Sequence, residues 1–145
     1  MIRNAIIVAL GLAALPAHAG EASDAVRWFY DNVGAESEPE NRHRFTGAAR
    51  DYLDANDRVW AEREEVCLDF GLTVDAQDYD EGEIARTLEL RESVQNDEAI
   101  VMARFSMFGE PRTLEWTLFR DGRMWQVADI MSLQGGWRLS EFECE

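Results

Sequence analysis

Tyr30 and Asp129 are the two side chains whose types and positions could do acid–base chemistry. A phenol and a carboxylate facing one cavity can donate to a developing oxyanion and move a proton. Asp129 ends a run of alternating apolar positions, and strand periodicity turns it to the side shared by Leu114, Trp116, Leu118, Trp125 and Val127. A carboxylate among such neighbours must be hydrogen-bonded, paired, protonated or at a wet rim. Trp116 and Trp125 would wall the same cavity, giving a candidate ligand-binding set of Asp129, Tyr30, Trp116 and Trp125. The plainer alternatives are a strand-end aspartate that reaches water and a core tyrosine with its tip at the rim.

Other reactive types are few. Cys67 and Cys144 are an even pair with no local Cys-x-x-Cys motif, which in an oxidising compartment reads first as a disulfide. His43 lies in a charged stretch and reads as solvated surface. Asp75, Asp78, Asp80, Glu81 and Glu83 crowd negative charge around Tyr79. With Gly82 at the sixth position of a calcium loop, the first, third, fifth and twelfth positions become Gln77, Tyr79, Glu81 and Leu88, which is not a calcium-binding set. No metal site and no cofactor is assigned, and a looser cation site on the Asp75–Glu83 loop stays as an alternative. Nucleophile elbow, phosphate loop and zinc triad are all absent from the sequence, which favours a non-catalytic reading over an enzyme.

The elements that must position these residues fall into two halves. Val26, Phe29, Tyr30 and Val33 make one apolar stripe, so the spacing predicts a helix over Ser23–Val33, capped by Ser23 and ended by Gly34. Ser37-Glu38-Pro39-Glu40 signals a short helix start. Phe45–Ala55 is a second helical pattern, and Asn56 or Asp57 begins a third that runs to Val66. Cys67–Gly82 reads as irregular.

The second half is period-2. Thr87–Gln95, Ala99–Phe108, Thr113–Arg120 and Arg123–Ile130 predict an antiparallel meander. Asp121-Gly122 signals the last hairpin, with Arg120 opposite Arg123, Leu118 beside Trp125 and Leu114 beside Asp129. A loop from Phe108 to Pro111 pairs Met107 with Arg112 and Arg104 with Glu115. Asn96-Asp97 turns the chain so that Glu89 faces Arg104. The outer ladder Glu89–Arg104–Glu115 would add roughly 0.2–1 kcal/mol per pair. Trp137, Leu139 and Phe142 would fold the tail over an edge or open end of the sheet. The expected fold class is α+β, with N-terminal helices packed on a curved, cone-like antiparallel meander of about four strands.

Fourteen basic residues, all arginine, stand against 29 acidic ones, a formal net charge of −15. That excludes nucleic acid as a natural partner and disfavours adsorption to anionic lipid. Residues 1–19 read as a signal peptide: Arg3, the apolar run Ala5–Leu15, Pro16, then Ala17-His18-Ala19 as the cleavage pattern. Cleavage after Ala19 would leave residues 20–145 as one α+β domain, periplasmic or secreted and without a membrane anchor.

Helices followed by a curling meander resemble the nuclear-transport-factor-like, ketosteroid-isomerase-like α+β cone. Trp28-Phe29-Tyr30, Leu68-Asp69-Phe70, Asp75-Ala76-Gln77-Asp78-Tyr79 and Trp125-Gln126-Val127-Ala128-Asp129-Ile130 resemble an uncharacterised family of exported bacterial domains, the DUF3828 type. That resemblance implies fold and export and no chemistry. The wider superfamily includes isomerases and binding proteins, so fold does not choose between them. Three functions compete. The first is an exported non-catalytic protein with a periplasmic protein partner, of the immunity or envelope-maintenance kind, which acidity and exposed Phe108, Phe119 and Met124 would suit. The second is a pocket for a small apolar ligand using Asp129 and Tyr30. The third is divalent-cation binding by the Asp75–Glu83 loop.

Overall fold

The computed structural model describes residues 20–145; the expected signal peptide and its cleavage site lie outside the described residues. Helix α1 (Glu21–Asp31) buries Ala22, Ser23, Val26, Phe29 and Tyr30 along one stripe. It begins two residues before the expected Ser23 cap. Its N-cap is Gly20, and the free Ser23 N–H donates to the Glu92 carboxylate at 3.2 Å. A strand side chain therefore caps this helix, which local sequence does not reveal. Two 3₁₀ turns follow, Ala35–Ser37 and Pro39–Arg44, the second with proline in its first turn.

Helix α2 (Gly47–Arg63) is continuous where two helices were expected. Nothing between Gly47 and Arg63 breaks the backbone. Asn56 and Asp57, read as a break, use their side chains elsewhere. Asn56 Oδ1 accepts from the Cys67 and Leu68 N–H groups at 2.9 and 3.2 Å, and Asp57 accepts from Arg42 at 2.7 Å. Helix α3 (Glu81–Thr87) occupies the end of the segment expected to be irregular and the start of the expected first strand. Asp80 caps it by accepting from the Glu83 N–H at 3.1 Å. With seven residues and Ile84 alone buried, it has no periodicity to detect.

Five strands form one open antiparallel sheet in the order β1 (Glu89–Gln95), β2 (Glu98–Met107), β3 (Glu110–Asp121), β4 (Met124–Ser132), β5 (Trp137–Arg138). The β1–β2 register is the expected one, Glu89 opposite Arg104. Both later hairpins pair two residues away from the expected register: Met107 faces Glu110 across a two-residue turn where four were expected, and Asp121 faces Met124 because its two-residue turn sits one position later than expected. Each turns on a central pair containing a positive-φ glycine, Phe108-Gly109 and Gly122-Arg123. A two-residue shift keeps every side chain on its face. It does break the expected ladder: Arg104 faces Thr113, and Glu115 faces Met102.

One irregularity reverses a face. Leu118 pairs with Val127, but the next pair is Thr117 with Asp129, so Ala128 is an extra residue. Such a bulge switches alternation for everything beyond it. Ile130 and Ser132 turn inward, and Asp129 turns out. The inner face carries Val101, Ala103, Leu114, Trp116, Leu118, Trp125, Val127 and Ile130, and α1, Phe45, α2, Leu72, Val74 and Leu139 complete one core.

Candidate functional site

The expected pocket is occupied by its own walls. Trp116 is 0% exposed, and its indole N–H donates to the Tyr30 hydroxyl at 3.3 Å. Phe29 and Phe105 pack against this pair, with ring centroids 5.4 Å from Trp116 and 5.3 Å from Tyr30. Burial pushes the Tyr30 phenol far above its ordinary value, so it stays neutral. Trp125 is also buried, with the Arg120 guanidinium 5.2 Å from its ring centre.

Asp129 is on the opposite side of the sheet from Tyr30, which corrects the inward orientation expected from strict alternation. The Ala128 bulge is the physical reason. Asp129 accepts from the Ser140 N–H at 2.9 Å, the Ser140 hydroxyl at 2.7 Å and Arg138 at 3.2 Å. It latches the tail to β4. The fold therefore joins Tyr30 to Trp116, buries Trp125 in the same core opposite Arg120, and separates Asp129 from all three.

The two cysteines are bonded to each other, with Cα atoms 5.6 Å apart across a sequence separation of 77. Neither offers a free thiol as nucleophile or ligand. The bond sits in the wall of an open groove of about 380 Å³ that Tyr52, Leu68, Phe70 and Phe142 also line.

The acidic stretch from Asp75 to Glu83 is parcelled out among separate tasks. Asp75 accepts from the Trp137 indole N–H at 2.6 Å and the Ser132 hydroxyl at 2.5 Å, fastening its loop to the tail. Asp80 caps α3. Glu83 reaches across to the β2–β3 turn, where its two oxygens accept from the Phe108 and Gly109 N–H groups at 2.8 Å each. Among the described residues, no three His, Cys, Asp or Glu side chains converge as a metal site would require.

Two features escaped the sequence. Glu36 is 3% exposed on the first 3₁₀ turn. Its Oε1 accepts from the Thr73 hydroxyl at 3.3 Å, while Oε2 has no hydrogen-bond partner. Burial holds this carboxyl above its ordinary value, and nearby backbone N–H groups and Thr73 offset only part of that. Glu36 lies in the floor of a second open groove, about 480 Å³, between Val66, Leu68, Asp69 and Phe70. No local pattern signals an acid that buries itself by tertiary contact.

The second is the β2–β3 turn. Phe108 is 63% exposed there, with φ of 50°. The sequence marked it as an exposed aromatic, but its backbone state and the Glu83 clamp depend on the loop length. Trp60, Val66, Tyr79, Val94, Phe119, Met124 and Leu133 are further large apolar side chains left in water. Singly such residues are ordinary, whereas an exposed aromatic on a braced turn suits a protein interface.

No family model matches the chain. No curated protein matches it either. Two solved structures share its fold. One is a chain of the type VI native effector–immunity complex Tae3–Tai3 from Ralstonia pickettii, with a TM-score of 0.54 and 20% identity, covering 80% of this chain and 97% of that one. The other is the selenomethionine form of that complex, with a TM-score of 0.53 and 19% identity over 79% and 97% of the two chains.

Proposed function

We propose that this protein is an exported immunity-type protein, which binds a toxic effector protein and neutralises it without chemistry of its own. One observation carries the reading. The groups that the sequence offered for chemistry, Tyr30, Asp129, Cys67, Cys144, Asp75 and Glu83, are each engaged in holding the fold, while large apolar side chains stand in water. Tyr30 is locked to Trp116, Asp129 to the tail, Cys67 to Cys144, and Asp75 and Glu83 to backbone and side-chain donors. The fold shared with a chain of an effector–immunity complex supports a protein partner. The disulfide supports an oxidising compartment such as the periplasm, reached by cleavage after Ala19. The resemblance to the DUF3828 type implies export, which fits the same reading.

The test is a competition experiment. The gene is deleted from the producing bacterium, and the deletion strain is grown in contact with its parent. The deletion strain should be depleted, and the wild-type chain supplied to the periplasm should restore it. The same chain without residues 1–19 should not. Equal survival of deletion strain and parent would refute the reading.

A further inference from the structure

We infer that the Phe108 turn is the anchor by which this protein grips its effector, and that the partner surface is an apolar pocket rimmed by arginine or lysine. This deepens the immunity reading and rests on it. The first observation is a misfit. Phe108 and Gly109 have φ of 50° and 78°, the two positive values of a type I′ hairpin turn. Glycine, asparagine and aspartate suit the first of these positions, and a bulky side chain there crowds its own backbone. The fold gains nothing visible in return, because the ring is 63% exposed. Residues held in an unfavoured backbone state cluster at functional sites, and this one leaves its ring in water.

The second observation is bracing. Glu83 holds both turn N–H groups at 2.8 Å. Thr87 takes the Ser106 N–H at 2.9 Å and donates its own hydroxyl to the Glu83 carbonyl at 2.7 Å. The Asp80 N–H points at the buried Met107 sulfur at 3.4 Å. Helix α3 is thus a strut behind the turn. A turn whose backbone is already braced needs little ordering on docking, which favours the affinity of an aromatic anchor carried on it.

The third observation is charge. The strut with its approach, residues 78–87, and the turn with its flank, residues 107–112, carry Asp78, Asp80, Glu81, Glu83 and Glu110 against Arg86 and Arg112. Exposed Tyr79 stands beside Asp80. Such a rim repels nucleic acid, anionic lipid and a second copy of this chain, whose net charge is −15. It attracts a basic protein surface and speeds its approach.

The experiment expresses full-length variants in the deletion strain and scores survival beside the parent. Phe108→Asn suits the turn better than phenylalanine, so its Tm should hold or rise while protection falls at least tenfold. Phe108→Gly is the second variant and should behave alike. Phe119→Asn removes an aromatic that is 44% exposed, roughly 30 Å away along β3, and should protect like wild type. Glu81→Arg combined with Glu110→Arg should also lose protection. Full protection by Phe108→Asn and Phe108→Gly would overturn the anchor and leave the immunity reading standing. Failure of the wild-type chain to protect would overturn both. A wild-type dimer in sedimentation that Phe108→Asn converts to monomer would assign the turn to a second copy and overturn the inference.

Discussion

Replacing Cys67 and Cys144 together by serine should destabilise the protein through its unfolded state more than through its folded one. The bond closes a loop across 77 residues. In the chain-entropy treatment a loop of that length restricts the unfolded chain by about 4.5 kcal/mol at 25 °C. The folded tail keeps its own packing without the bond. Leu139 is fully buried, and the Phe142 ring lies 5.6 Å from Tyr52 and 5.5 Å from Trp137. The native circular dichroism spectrum should therefore be unchanged. Urea unfolding reads the difference. At an m value of about 1.5 kcal/mol/M, the midpoint should fall by about 3 M, and m itself should rise because the freed chain expands. A domain stable by ~5–15 kcal/mol would be brought close to its threshold. A midpoint shift below about 0.7 M, with m unchanged, would refute the reasoning and mean that tail packing persists after unfolding.

Tyr30→Phe leaves the Trp116 indole N–H without a partner in a dry core and should cost about 1–3 kcal/mol, while adding Trp116→Phe should cost less than the two changes summed, as a double-mutant cycle in urea will read. Glu36 has a definite sign. Burial raises its carboxyl above 4.5, so the folded state holds that proton more tightly than the unfolded chain. Its contribution is full below pH 4.5 and is lost as pH rises from there through the raised folded value. Glu36→Gln should therefore gain in Tm relative to wild type between pH 4 and pH 7.5, and a Tm difference that does not change with pH would remove the effect. Asp129→Ala frees the Ser140 N–H and Arg138, so amide exchange at Ser140 should quicken at a stability cost of about 1 kcal/mol; unchanged exchange would mean that Leu139, Phe142 and the Cys67–Cys144 bond hold the tail without Asp129.

Much of this fold was legible because strand faces depend on parity and not on register. Both tight hairpins shift pairing by two, and Trp116, Leu118, Trp125 and Val127 still reach the core. Turn length was illegible at Phe108-Gly109, where a phenylalanine occupies a position that favours glycine or asparagine. The α2 break was misread because Asn56 and Asp57 are typical stop signals locally, yet here they serve tertiary bonds to Cys67, Leu68 and Arg42. Helix α3 and strand β5 are too short for any period to accumulate. The cysteine pair was legible from compartment and count alone. Of the candidate site, exposed Phe108 and the acids near it could be read. The clamp by Glu83, 25 residues before the turn, could not.

The unpaired Ala128 decides how a drift in chain length would be felt. Excising that one residue would restore strict alternation and drive Asp129 toward Trp116, while Ile130 emerged into solvent. One codon's loss would thus unfasten the C-terminal latch and insert a charge into the hydrocarbon at the same stroke. Descendants of this gene should accept substitutions at position 128 far more readily than any insertion or deletion between Val127 and Ile130.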